Sequence, residues 1–198
     1  MDYSTYDKYI NILKANHNLI LTGAPGTGKT FLAKKIAEEM KAEYKLVQFH
    51  PSYDYTDFVE GLRPIEKDGN IGFERKDGVF KEFCKEAISS NKTFVFIIDE
   101  INRGEVSKIF GELFYSIDPG YRGEKGKVLT QYQNLIEDND TFKKGFYVPE
   151  NVYIIGTMND IDRSVESMDF AFRRRFAFVE IKAEDRLSML DELNDESL

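Results

Sequence analysis

The segment from Gly23 to Thr30 restricts the fold of this chain more than any other, because it matches the pattern Gly-x-x-x-x-Gly-Lys-Ser/Thr. An apolar run at 19–21 precedes it and a helical pattern follows it, so we expect it to join a strand to a helix. Its glycines let several backbone N–H groups face one anion. Lys29 would then meet the β- and γ-phosphates of a nucleotide, and the Thr30 hydroxyl would meet Mg²⁺. The predicted phosphate-binding residues are Gly23, Ala24, Pro25, Gly26, Thr27, Gly28, Lys29 and Thr30.

A second motif ends an uninterrupted apolar run, 94–98, with the two carboxylates Asp99 and Glu100. Such a run is typical of a central strand that is buried on both faces. Asp99 is predicted to hold Mg²⁺ directly or through water, and Glu100 to polarise an attacking water as general base. An acidic strand end that merely caps a helix is the alternative. Beside a phosphate-binding loop, two adjacent acids favour hydrolysis over binding alone.

Two further polar features are more ambiguous. Asn159 follows the apolar run 152–158, where it could reach a γ-phosphate or orient a water, although asparagine is also common in turns. The triplet 173–175, and Arg163 before it, could supply an arginine finger to the nucleotide of a neighbouring subunit. A solvated basic helix end, favourable to the helix dipole, explains the triplet equally well.

Short apolar runs alternate with helical patterns along the chain, which predicts an α/β fold with a parallel sheet and helices on both faces. Strands are expected at 19–21, 46–49, 94–98, 152–155 and 176–181, and helices at 31–41, 79–89, 106–117 and 164–174. The segment 62–76 contains Asp68-Gly69 and predicts a hairpin. The polar segment 118–144 is expected to be a long loop or a second hairpin. Tyr53, Tyr55 and Phe58 are expected to pack rather than stack on a base.

Composition excludes several classes of function. The net charge of −8 argues against a general nucleic-acid-binding surface. The chain has a single cysteine, Cys84, which excludes an internal disulfide and a cysteine-based zinc site. Cys84 belongs to the apolar face of a predicted helix, so we expect it to lie in the core. The longest apolar run is too short to span a bilayer, and the N-terminus does not resemble a signal peptide. We therefore expect a cytoplasmic protein without membrane contact.

The motifs together resemble the large α/β subdomain of an AAA+ P-loop NTPase, and more specifically the McrB family of restriction-system GTPases. The resemblance spans about 19–181 and is most specific in the His-Pro-Ser-Tyr segment at 50–53 and in the Asn…Asp-Arg-Ser segment at 159–164. The other matching segments are 23–30, 54–64, 75–80, 98–103, 147–158 and 169–176.

The resemblance implies roles for particular residues. Lys29 and Thr30 would be the Walker A pair, Asp99 and Glu100 the Walker B pair, and Asn159 the sensor 1 residue. Asp162 and Arg163 would end the family's signature loop. Arg174 and Arg175 would lie at a subunit interface, one of them as the finger.

The resemblance also implies Mg²⁺ and GTP as ligands, with ATP possible. It implies a hexameric ring of identical subunits, a McrC-like nuclease partner and DNA translocation by the assembly. A nucleotide-binding core is expected over 1–182, and 183–198 would begin the first helix of a largely absent helical lid or form an acidic tail.

One departure leaves the nucleotide open. The family's Asn-Thr-Ala-Asp reads Asn159-Asp160-Ile161-Asp162 here, so the sequence does not decide between GTP and ATP. Three rival functions also remain: a MoxR-like ATPase that remodels proteins, a P-loop enzyme such as a small-molecule kinase, and a nucleotide-binding module without turnover.

Overall fold

The structure is a computed structural model that describes residues 6–67, 69–159 and 170–182. A five-stranded sheet forms its centre, built from β1 (Asn18–Gly23), β2 (Glu43–Gln48), β5 (Phe94–Asp99), β6 (Val152–Asn159) and β7 (Ala177–Glu180). The strand order is β2-β5-β6-β1-β7, and every adjacent pair is parallel. The predicted parallel sheet is therefore confirmed, with strand ends that differ from the prediction by a few residues.

Helices cover both faces of this sheet, as predicted. They are α1 (Asp7–Asn16), α2 (Lys29–Glu39), α3 (Tyr55–Phe58), α4 (Val79–Ile88), α5 (Val106–Phe110), α6 (Leu113–Ser116) and α7 (Phe170–Arg173). Alternate strand residues point to opposite faces. Leu19 and Leu21 accordingly pack with α1 and α2, whereas Ile20 packs with α4, α5 and α6. The carboxyl ends of the strands are left uncovered by these layers.

A hairpin is inserted between α3 and α4, and it consists of β3 (Glu60–Lys67) and β4 (Asn70–Asp77) in antiparallel register. Its turn contains Gly69, which has a φ of 76°. Phe58 lies beneath the insertion, fully buried, with its ring stacked on Phe80 at 4.8 Å. The predicted hairpin and the predicted packing role of Phe58 are both confirmed.

The expectation of one continuous helix over 106–117 is wrong. The segment forms α5 and α6 with a break at Gly111, whose φ of 50° and ψ of −128° lie outside the helical region. A side chain at this position would meet the ring of Tyr55 at about 3.1 Å, so the break also makes room for α3. The apolar residues of both short helices still pack into the core, which explains why the sequence has the spacing of a single helix.

The long segment after α6 is a loop rather than a second hairpin. It contains short 3-10 turns and one isolated antiparallel bridge, between Val128 and Phe146. Cys84 is buried in α4, as predicted. The predicted helix start at Ser164, and the tail at 183–198, lie outside the described residues. Within the described part of the chain, none of the helices combines the length and apolarity needed to cross a bilayer.

Candidate active site

The predicted phosphate-binding loop joins β1 to α2 and curls through three glycines with positive φ. These are Gly23 at 146°, Gly26 at 78° and Gly28 at 83°, values that side chains rarely tolerate. At Gly23 the need is also steric, because a Cβ atom there would lie 2.4 Å from the carbonyl oxygen of Ile181. Helix α2 begins at Lys29, so its first N–H groups face the loop.

A cavity of about 350 Å³ opens beside this loop at the carboxyl ends of β1, β5 and β6. Both predicted carboxylates reach it. The lining residues are Pro25, Gly26, Gly28, Lys29, Thr30, Phe31, Asp99, Glu100, Thr157 and Asn159. Gly23, Ala24 and Thr27 are not among the lining residues; their oxygen atoms take part in hydrogen bonds within the loop.

The Lys29 ammonium is folded against its own loop. Its Nζ donates to the carbonyl oxygens of Gly23 at 2.9 Å and Ala24 at 2.8 Å, and it lies 3.4 Å from the Thr27 hydroxyl. The residue is only 6% exposed. A positive charge is thus fixed at the base of the cavity, where the N-terminus of α2 adds its partial charge.

The side-chain oxygen atoms of Thr30 and Asp99 lie together and are of the type that binds a hard cation. The Thr30 hydroxyl donates to Asp99 Oδ1 at 2.7 Å, which leaves the lone pairs of Thr30 free to bind a metal. Mg²⁺ prefers oxygen ligands and is commonly held by one or two carboxylates together with substrate phosphates. The described residues include no cluster of three or more His, Cys, Asp or Glu side chains that could hold a metal by itself.

Glu100 has an unusual backbone conformation, with φ 51° and ψ 46° in the left-handed region. Its carboxylate oxygen Oε2 forms an ion pair with Arg103 at 2.9 Å and accepts a hydrogen bond from Gln48 Nε2 at 3.3 Å. Its backbone N–H donates to the Thr157 hydroxyl at 3.1 Å. Among the described residues no group donates to Oε1, so that oxygen is open to a water at the cavity rim.

Asn159 is the last residue of β6 and pairs in register with Gly23. This pairing brings its side chain to the mouth of the phosphate-binding loop, where it lines the cavity. Sequence reasoning missed three neighbours of the carboxylates: Gln48, Arg103 and Thr157. Thr157 had a detectable signal, since it is a polar residue inside an otherwise apolar strand.

The two predicted interface arginines have different surroundings. Arg174 is exposed. Arg175 is only 9% exposed, donates to the Ala171 carbonyl oxygen, and lies 3.6 Å from the Asp118 carboxylate. Neither side chain lines the cavity of its own chain. Asp162 and Arg163, also singled out in the sequence, lie outside the described residues.

Known proteins resemble this chain along most of its length. The chain matches the family model of the AAA domain, dynein-related subfamily, over residues 18–176. It is 44% identical over 185 residues to the type IV methyl-directed restriction enzyme EcoKMcrB subunit of Escherichia coli, covering 90% of this chain and 38% of that protein. It is 27% identical over 217 residues to the type II restriction enzyme BsuMI component YdiS of Bacillus subtilis, covering 94% of this chain and 63% of that protein.

A solved structure supports the fold alone. The crystal structure of a candidate ATPase from Cytophaga hutchinsonii superposes with a TM-score of 0.51 at 19% identity, covering 96% of this chain and 51% of that one. The chain spans less than two thirds of the length of the two restriction-system relatives described above. Because the family model covers the phosphate-binding loop and both polar strand ends, the chain belongs to the dynein-related subfamily of AAA domains, and it is similar to restriction-system subunits of the McrB type.

Proposed function

We propose that this chain is the nucleotide-hydrolysing core of a restriction-system motor, and that it cleaves GTP in preference to ATP. The observation that carries the proposal is the convergence of Lys29, Asp99, Glu100 and Asn159 on one cavity at the ends of three strands. Each of these groups has a defined task in phosphoryl transfer. The preference for GTP rests on the similarity to the McrB type.

Binding depends on the loop and on α2. Backbone N–H groups and the Lys29 ammonium would hold the β- and γ-phosphates, with Lys29 exchanging its carbonyl contacts for phosphate oxygens. Thr30 and Asp99 would hold Mg²⁺. When bound, this ion would neutralise charge on the phosphates.

Hydrolysis depends on Glu100 and Asn159. The open oxygen of Glu100 would take a proton from a water as that water bonds to the γ-phosphorus. The bond from the γ-phosphorus to the bridging oxygen breaks, and the products are a nucleoside diphosphate and inorganic phosphate. The Asn159 amide would orient the water or the γ-phosphate from the neighbouring strand.

Ring assembly would complete the site. We propose that Arg174, which is exposed, reaches the nucleotide of a neighbouring subunit as the arginine finger. Arg175, paired with Asp118, would instead brace the end of α7 from within its own subunit. The proposed assembly is a hexamer of identical chains that works with a McrC-like nuclease subunit on DNA.

The direct test is a competition titration with a fluorescent GTP analogue and Mg²⁺, in which unlabelled GTP or ATP displaces the probe. We expect GTP to displace it at lower concentration, and Lys29→Ala to abolish binding. Lys34→Ala is the matched control, because it removes an exposed lysine from the same helix. Stronger displacement by ATP would contradict the GTP assignment, and no binding to the unaltered chain would contradict the function itself.

Turnover is tested separately. Glu100→Gln is expected to bind nucleotide normally and to lower kcat about 100-fold or more, a typical effect of losing a general base. Unchanged hydrolysis would remove Glu100 from the proposed role. Stimulation by DNA together with the nuclease subunit supports the restriction motor, whereas stimulation by unfolded protein would favour the remodelling ATPase.

A further inference from the structure

Thr157 touches both acidic residues of the site at once. It lies on β6, two residues before Asn159, and is 2% exposed. Its hydroxyl contacts Asp99 Oδ1 at 2.5 Å and the backbone nitrogen of Glu100 at 3.1 Å. A threonine hydroxyl therefore bridges the end of β5 to β6 beneath the cavity.

The direction of each hydrogen bond follows from the partners. A hydroxyl has one proton to donate and two lone pairs to accept with. The Glu100 N–H can only donate, so the single Thr157 proton is committed to the Asp99 carboxylate. This is a charge-assisted hydrogen bond in a buried position, where such bonds are strong.

The bridge fixes which oxygen of Asp99 is available. Oδ1 already accepts from Thr30 at 2.7 Å, and the Thr157 bond adds a second donor to the same atom. Within the described part of the chain no group donates to Oδ2. The two hydroxyls thus hold the carboxylate in one rotation and leave its second oxygen for a metal or a metal-bound water.

The same bridge restrains the neighbouring backbone. Glu100 has a left-handed conformation, which is unfavourable for a residue other than glycine. Its N–H bond to Thr157 holds the peptide between Asp99 and Glu100 in the required orientation. Without that bond the backbone is free to relax, and the Glu100 carboxylate would move with it.

We propose that Thr157 is a positioning residue for nucleotide hydrolysis, which orients the Asp99 carboxylate for Mg²⁺ and the Glu100 backbone for the attacking water. The inference rests on the proposed function. Thr157 acts through its two neighbours and does not itself touch the reacting atoms.

The test compares Thr157→Val, which removes only the hydroxyl function, with Thr157→Ser, which keeps it. Thr157→Ala is made in parallel in case valine prevents folding, and folding is checked by circular dichroism. Thr93→Val is the matched control, because Thr93 directly precedes β5 at the end of the strand away from the cavity. Three quantities are measured. The first is the affinity for the fluorescent nucleotide in EDTA, and the second is the Mg²⁺ concentration that gives half of the increase in affinity caused by Mg²⁺. The third is kcat.

Thr157→Val is expected to keep its affinity in EDTA, because the phosphate-binding loop is intact. Its half-saturating Mg²⁺ concentration should rise and its kcat should fall, each by about 10- to 100-fold, the usual effect of losing an outer partner of a metal ligand. Thr157→Ser should restore most of both, and Thr93→Val should match the unaltered chain.

Three negative results are possible, and they separate the role of Thr157 from the proposed function. If the unaltered chain binds nucleotide and Thr157→Val shows the same Mg²⁺ dependence and kcat, the role of Thr157 is refuted while the proposed function stands. Equal loss in Thr157→Ser and Thr157→Val also refutes it, because the hydroxyl would then not be the active feature. If the unaltered chain binds neither GTP nor ATP, the proposed function fails, and this inference fails with it.

Discussion

Replacing Lys81 with methionine is expected to destabilise the fold, because it removes one of the two cationic partners of the buried Glu60 carboxylate at the base of the hairpin. Lys81 and Glu60 both have fully buried side chains, and their Nζ and Oε2 atoms lie 2.6 Å apart. Glu60 also accepts from Arg75 at 3.1 Å and from the Tyr132 backbone N–H at 2.8 Å. The cluster ties β3 to β4, to α4 and to the long loop after α6.

The size of the effect follows from what remains after the change. Removing one partner of a buried ion pair typically costs about 3–5 kcal/mol, because the other charge stays buried and unpaired. Glu60 keeps Arg75 and the Tyr132 N–H in the variant, so the lower end, about 3 kcal/mol, applies. For a chain of this size each kcal/mol lowers Tm by roughly 2–4 °C, so the expected fall is about 6–12 °C.

The assay is thermal unfolding followed by far-ultraviolet circular dichroism. The matched control is Lys92→Met, since Lys92 pairs with Glu43 on the surface with side chains 65% and 55% exposed. An exposed pair contributes about 0–1 kcal/mol, so this control should change Tm little. Adding Glu60→Gln to Lys81→Met should recover part of the loss. Equal shifts for Lys81→Met and Lys92→Met would refute the reasoning.

Three further outcomes are expected. Burial raises the pKa of the Cys84 thiol, so Ellman's reagent at pH 8 should label it only after unfolding in urea. Gly126→Ala should lower the urea midpoint, because its Cβ would lie 1.7 Å from a backbone carbonyl oxygen, whereas Gly72→Ala meets its nearest atom at 3.7 Å and should change little. Burial, the largest single influence, would raise the pKa of Asp77, but the hydrogen bonds from Lys85 and Arg75 and the charges of Lys81 and Lys85 together outweigh it and lower the pKa. A carboxylate whose pKa is lowered by folding stabilises the fold at pH values above its unfolded pKa of about 4, and this stabilisation is lost as the pH falls. We therefore expect Tm to decrease when the pH is lowered below about 5. The decrease should be smaller in Lys85→Met, which lacks one of the cations that lower the pKa.

The features that the sequence predicted are those carried by local chemistry. The glycines at 23, 26 and 28 have positive φ angles, which the glycine pattern of the loop permits, and the apolar run at 94–98 is typical of a strand buried on both faces. The hairpin was predictable because Asp68-Gly69 sits between two strand-like runs. These signals were enough to bring Lys29 and Asp99 to one edge of a sheet.

The features that were missed depend on distant contacts. The break at Gly111 makes room for Tyr55, which is 56 positions earlier in the chain. From sequence spacing, Arg174 and Arg175 were equal candidates for the arginine finger. The structure distinguishes them, because Arg175 is buried and contacts Ala171 and Asp118, whereas Arg174 is exposed. Helix α1 was not predicted from the sequence, because its three buried residues, Tyr9, Ile10 and Leu13, form too short an apolar pattern.

At position 100, which has a left-handed backbone conformation, the residue that favours stability differs from the residue proposed for activity. Glycine there would relieve a conformational strain of about 1–2 kcal/mol and so raise the melting temperature, yet it would remove the proposed base. A library of variants ranked by heat resistance alone would therefore enrich inactive proteins at position 100. Ranking by turnover would retain the glutamate and its strain.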